Sequence, residues 1–120
     1  MTMRLERYNV GIRRSLRESF QAIFGHSEFR SVLDVLTRLR SSLTKAFILD
    51  HIPGQDENFY WILIDKVTVV KAEVPKHDEN EAMDIRFEVI DRRAYQKKRL
   101  SIRTRRRLMC ALELMMEHEQ

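Results

Sequence analysis

The sequence predicts an α+β fold: a long antiparallel helical hairpin packed on a small antiparallel sheet of three to four strands, closed by a C-terminal helix. Three observations predict it. Apolar residues recur every three or four positions through roughly the first 49 residues, an aromatic and β-branched stretch begins at Phe59, and a second helical stripe ends the chain. The 120 residues suit one domain spanning 1–120. At 43% hydrophobic the chain carries enough apolar side chains for one modest core.

The first helix is expected over about 4–24, where Leu5, Tyr8, Ile12, Leu16, Phe20 and Ile23 share a face. Gly25 follows its last apolar pair and suits a left-handed helix end, and Ser27 is placed to cap the next helix. That second helix is expected over about 28–49. Phe29, Val32, Leu36, Leu39, Leu43 and Ala46 form a heptad stripe there, long enough to be an intramolecular seam or a homodimer interface. The residues from Asp50 to Asn58 include Pro53 and Gly54 and read as a loop.

Phe59 to Ile64 then reads as a buried strand, and Val67 to Val74 as a second, with a bulge or tight turn at Asp65-Lys66. Pro75 to Ala82 reads as an acidic turn. Met83, Ile85, Phe87 and Val89 alternate with polar residues, as a half-buried strand would, pairing antiparallel with the strand before it. Residues 98–104 fit either a short strand or the approach to a helix capped by Ser101. Leu108, Ala111, Leu112, Met115 and Met116 make the last segment helical. The core is expected to include Leu36, Leu39, Phe59, Trp61, Leu63, Phe87, Val89, Leu112 and Met116.

Composition excludes several functions. A single cysteine allows no internal disulfide framework and no Cys-rich zinc site. No apolar run approaches the length of a membrane span, and Met1-Thr2-Met3-Arg4 leads directly into an Arg-rich amphipathic stretch without the apolar centre of a signal peptide. The chain therefore reads as a cytoplasmic domain that does not engage a membrane. Gly11, Gly25 and Gly54 are isolated, so no phosphate-cradling loop and no nucleotide cofactor are expected.

Catalytic constellations are sparse, and the chain reads as a non-enzyme. His26, His51, His77 and His118 lack metal-ligand spacing, and His77 to Glu81 reads as a solvated hairpin tip. Cys110 lies among Leu108, Ala111 and Leu112, where a thiol acts as a small hydrophobe. Asp65, Lys71 and Glu73 resemble the acidic-plus-lysine set of metal-dependent nucleases only loosely. The run Glu73-Val74-Pro75-Lys76 lacks the tighter Glu-x-Lys spacing.

Charge carries the functional expectation. The net charge of +4 divides into blocks of +5 over residues 1–45, −7 over 46–91, +9 over 92–112 and −3 over 113–120. The third block holds Arg92, Arg93, Lys97, Lys98, Arg99, Arg103, Arg105, Arg106 and Arg107 with no acid among them. Such a cluster binds phosphates by displacing counterions, and Tyr95 within it is placed to stack on a base. Leu100 and Ile102 would tie the segment to the protein body. Arg103, Arg106 and Arg107 would then approach a nucleic acid at the start of the last helix, where the helix dipole also favours phosphate. Arg13, Arg14 and Arg17 would extend the patch if the first helix packs beside it. The leading expectation is a small nucleic-acid-binding or nucleoprotein-associated factor. The alternative is an interaction module that meets an acidic protein partner, or a second copy of itself, through the charge blocks and the heptad stripe.

Overall fold

The computed structural model describes residues 2–76 and 85–117, with side chains described from residue 7. It is an α+β structure. Helix α1 (Thr2–Gly25) leads through a 3-10 turn (Ser27–Phe29) into α2 (Arg30–Leu39). Four strands follow, β1 (Phe47–Pro53), β2 (Glu57–Asp65), β3 (Thr68–Pro75) and β4 (Arg86–Asp91), and then α3 (Arg92–Lys97) and α4 (Ile102–Met116). The sheet is antiparallel throughout, in the order β1-β2-β3-β4. The expected acidic turn and the His77–Glu81 tip fall largely outside the described residues.

The sheet separates two apolar clusters. On one face Phe47, Leu49, Leu63, Val69 and Ile90 pack with Leu16 of α1, Tyr95 of α3 and Leu108, Ala111 and Leu114 of α4. On the other, Ile62, Ile64 and Val70 pack with Ile23, Phe29, Val32 and Leu36. Alternation along β2 and β3 sends successive side chains to opposite clusters, which is why these central strands read as continuous apolar runs.

Several expectations need correction. The second helix ends at Leu39 rather than near residue 49, and Phe47 to Pro53 form a strand. Arg40 is already extended, at φ −146 and ψ 97, with its amide donating to the Leu36 carbonyl to close the last turn. Leu43 and Ala46 still reach the second cluster, but from a loop and a strand start. The heptad spacing thus reported burial correctly and backbone wrongly. No described glycine has a positive φ, so Gly25 does not end α1 in the left-handed form. Neither the 3-10 turn nor α2 has a side-chain cap, so Ser27 is not one. Ser101 does cap α4, accepting the Thr104 amide at 3.0 Å, and residues 102–104 are helical.

Three core expectations also fail. Phe87 and Val89 are 47% and 53% exposed, because they lie on the outermost strand beyond the reach of α2, and Met116 is 64% exposed at the end of α4. Leu36 and Leu63 are fully buried, while Leu39, Trp61 and Leu112 pack against the clusters and Phe59 is half-buried. Phe59 rests on the β1–β2 turn. A side chain at Gly54 would come within 2.7 Å of the Glu57 carbonyl and 3.2 Å of the Phe59 ring, so the turn requires glycine there.

Candidate nucleic-acid interface

The basic segment begins where β4 ends. The Asp91 carboxylate accepts the amides of Arg93 and Ala94 at 3.1 and 3.4 Å, capping α3. This single helical turn buries Tyr95, which is only 2% exposed and packs in the first cluster. Burial, then the Asp50 charge, pushes its hydroxyl up to about 12. Tyr95 therefore has no face to offer a base, contrary to the sequence expectation: α3 has one inward side, and Tyr95 occupies it. Arg92 bonds back to the β2–β3 turn, its amide donating to the Val67 carbonyl at 2.7 Å and its Nε to the Lys66 carbonyl at 2.9 Å. Leu100 packs against the first cluster and ties the segment down as expected, but Ile102 is 76% exposed and does not.

Helix α4 lies parallel to α1. The pairs that join them run in the same order along both helices: Tyr8 with Arg106, Arg13 with Glu113, and Arg17 with Glu117 at 3.7 Å. This arrangement decides where charge is neutralised. Arg13 and Arg17 take the acids at the end of α4 and so do not extend the basic patch. At the start of α4 no acid among the described residues forms an ion pair, and Asp50 of β1 is the one carboxylate whose charge reaches Arg107 there. Among the described residues, none of the nine cations of 92–107 forms an ion pair; the three ion pairs there are Arg13–Glu113, Arg17–Glu117 and Arg40–Asp65. Arg93, Lys97, Lys98, Arg99, Arg103 and Arg105 are exposed.

Arg107 is the most engaged of the nine. Its Nε donates to the Ile48 carbonyl at 2.8 Å and its Nη1 to Ser15 Oγ at 2.9 Å. Burial, then the like charge of Arg103, lowers its pKa below the ordinary arginine value, with Asp50 acting in the opposite sense. Arg106 sits 5.5 Å from the centroid of the Tyr8 ring. Two open clefts meet at this point. One, of about 540 Å³, is lined by Arg7, Tyr8 and Ile12 of α1. The other, of about 440 Å³, is lined by Asp50, His51 and Ser101. Ser15, Arg103 and Arg107 line both, so the clefts form one furrow across the first turns of α4.

Sequence reasoning missed Arg7, Tyr8 and Ser15 as furrow residues. Tyr8 fits the apolar stripe of α1, and only the packing of α1 on α4 reveals that it reaches the rim, 43% exposed. Arg105 lies on the other flank of α4 and does not line the furrow.

The nuclease-like set is dispersed. Asp65 pairs with Arg40 at 2.7 Å, Lys71 lies 5.5 and 5.6 Å from the Phe59 and Trp61 ring centroids, and Glu73 sits opposite Phe59, far along β2 from Asp65. Among the described residues no group of three His, Cys, Asp or Glu is placed to hold a metal ion, and no helix is long and apolar enough to cross a membrane. Cys110 is buried and its pKa is raised by that burial, which leaves it an inert thiol. No family model, no curated protein and no solved structure matches the chain.

Proposed function

We propose that this chain is a non-enzymatic nucleic-acid-binding factor whose phosphate contacts come from the furrow and from the exposed cations leading into it. The absence of ion pairs from the nine cations of 92–107, among the described residues, carries this reading. Cations left without acids keep their counterions, and a polyphosphate gains by displacing them. Arg103 and Arg107 stand four residues apart at the capped start of a helix, with Arg7 facing them from α1. The backbone dipoles there favour the same ligand charge. The Tyr8 ring on the rim takes over the stacking role expected of Tyr95.

The interaction-module alternative loses its heptad surface, because Val32, Leu36 and Leu39 are spent on the second cluster. It keeps the cations, which also suit an acidic protein. Fluorescence anisotropy with single- and double-stranded DNA and RNA across a salt series tests both. Binding should fall steeply with salt. Arg103→Glu combined with Arg7→Glu should weaken it at least about a hundredfold and flatten the salt slope, by roughly one for each phosphate that is no longer neutralised. Both residues are exposed, so the fold should survive. Unchanged affinity in this variant removes the furrow from the reading. Polyglutamate binding in place of polynucleotide would favour the acidic protein.

A further inference from the structure

The β4 edge of the sheet stands apart from the furrow. β4 is the last strand of the sheet and has no neighbour on its outer side among the described residues. Such an edge presents a row of unpaired amides and carbonyls, which proteins usually blunt with proline, a bulge, a covering element or charged side chains, lysine above all. The charges on this edge, Arg86, Glu88 and Asp91, are of both signs and so can pair as well as repel. Arg86-Phe87-Glu88-Val89-Ile90-Asp91 holds no proline or lysine, its pairing with β3 is regular, and nothing among the described residues covers it. Phe87 and Val89 are exposed beside it.

The phase of the edge follows from one bond. The Arg92 amide donates to the Val67 carbonyl, continuing the β3–β4 register by one pair. Hydrogen-bonded pairs alternate along an antiparallel ladder, so Arg86, Glu88 and Ile90 direct their backbone groups toward β3. Phe87 and Val89 direct theirs outward. A partner strand would bond at these two residues.

We propose that two copies of this chain pair antiparallel through β4, with Phe87 meeting Phe87 on the two-fold axis. A symmetric pair of edges that keeps the sheet faces aligned is centred on a residue, and charge selects the residue. Centred on Glu88, the strands set two glutamates against each other. Centred on Val89, they set Phe87 against Asp91 and Glu88 against Ile90. Centred on Phe87, they set the rings together, Ile85 against Val89, and Arg86 against Glu88 twice. Within each copy Arg86 already faces Glu73 and Glu88 faces Lys71 on the same side of the sheet. The pairing would therefore extend two rows of alternating sign, Glu73-Arg86 and then Glu88-Lys71 of the second copy, across the axis. Opposite charges across a strand pair stabilise and like charges destabilise, so the same residues that admit this register reject the others.

Sedimentation velocity of the full chain, without polynucleotide, tests this independently of the nucleic-acid reading. The unaltered protein should show a concentration-dependent dimer. Arg86→Glu alone and Glu88→Arg alone should each weaken it roughly tenfold or more, since each change sets like charges together twice. Arg86→Glu with Glu88→Arg in one chain should restore it, as should an equimolar mixture of the two single variants. The double variant places like charges beside Glu73 and Lys71 within each copy, so recovery reports contacts across the axis. Both side chains are exposed, and circular dichroism should be the same in all variants. A monomer at every concentration, a dimer indifferent to the single changes, or failure of either combination to recover would overturn the proposal.

Discussion

Along one edge of the sheet, β1 lies against α1, the Ile48 amide donates to Ser19 Oγ at 3.0 Å, and the Ile48 carbonyl accepts from Arg107 Nε at 2.8 Å. A register shift between Ile48 and Asp50 bulges the same strand. Along the other edge, β4 has a regular register, no covering element among the described residues and two exposed apolar side chains. Edge backbone must find hydrogen bonds from somewhere. On the β1 side the fold supplies them, and in doing so it anchors Arg107 and draws α1 and α4 together around the furrow. On the β4 side they are left to water or to another strand. The proposed polyanion binding and the proposed self-association therefore fall on opposite margins of one sheet, and substitutions should separate them.

The largest effect should come from Leu16→Ala. Leu16 is fully buried in the first cluster, on the helix that covers β1. Its truncation should cost about 2–5 kcal/mol in urea unfolding. It should also weaken nucleic-acid binding, because Arg7 and Ser15 ride on the same helix. Val89→Ala, on the uncovered edge, should stay within about 0.5 kcal/mol.

Alkaline pH should act next. Tyr95 is held up to about 12, against an ordinary 10, by burial and then by Asp50 of β1. A raised folded-state value means that the unfolded chain loses its proton first. Stability is then whole below pH 10 and falls between pH 10 and about 12, by about 2–3 kcal/mol if the full shift is realised. Tyr95→Phe should flatten this stretch of the melting-temperature profile. If the slope persists in that variant, another group is titrating.

Both margins were only partly legible in the sequence. The basic cluster could be read directly, because charge is a property of the residues. Its cofacing residues Arg7 and Tyr8 could not, because α1 and α4 meet across about 100 positions. The β2 and β3 strands announced themselves through β-branched runs. β1 did not, since Leu39, Leu43 and Ala46 satisfy a helical stripe whether the chain coils or extends. Phe87 and Val89 alternate as a strand should, but alternation reports which residues share a face and not whether anything covers that face. Tyr95 read as exposed because its neighbours are cations, and a one-turn helix is too short to show a period.

Arg107→Met should come third. Methionine keeps an apolar stem and removes both donors, leaving the Ile48 carbonyl without its partner at 2.8 Å. An unsatisfied, partly buried carbonyl costs about 1–3 kcal/mol. The same change removes one furrow cation, so both the unfolding midpoint and the salt slope of binding should fall. Arg105→Met, on the outer flank of α4, should leave stability within about 0.5 kcal/mol of the unaltered protein.

The smallest effect on the folded monomer should come from Ser19→Ala, set against Phe87→Thr on the opposite margin. Ser19 Oγ accepts the Ile48 amide and donates to the Leu16 carbonyl at 2.7 Å, so its loss frees one amide and should cost about 1 kcal/mol. Phe87→Thr removes an exposed ring and keeps a β-branched strand residue, so monomer stability should change by no more than about 0.5 kcal/mol. The two substitutions should trade places in sedimentation. Ser19→Ala should leave association intact, and Phe87→Thr should weaken it, because the lost ring sits on the proposed axis. Equal stability losses at the two margins would mean that β4 is as firmly covered as β1, and the contrast between the edges would then fail.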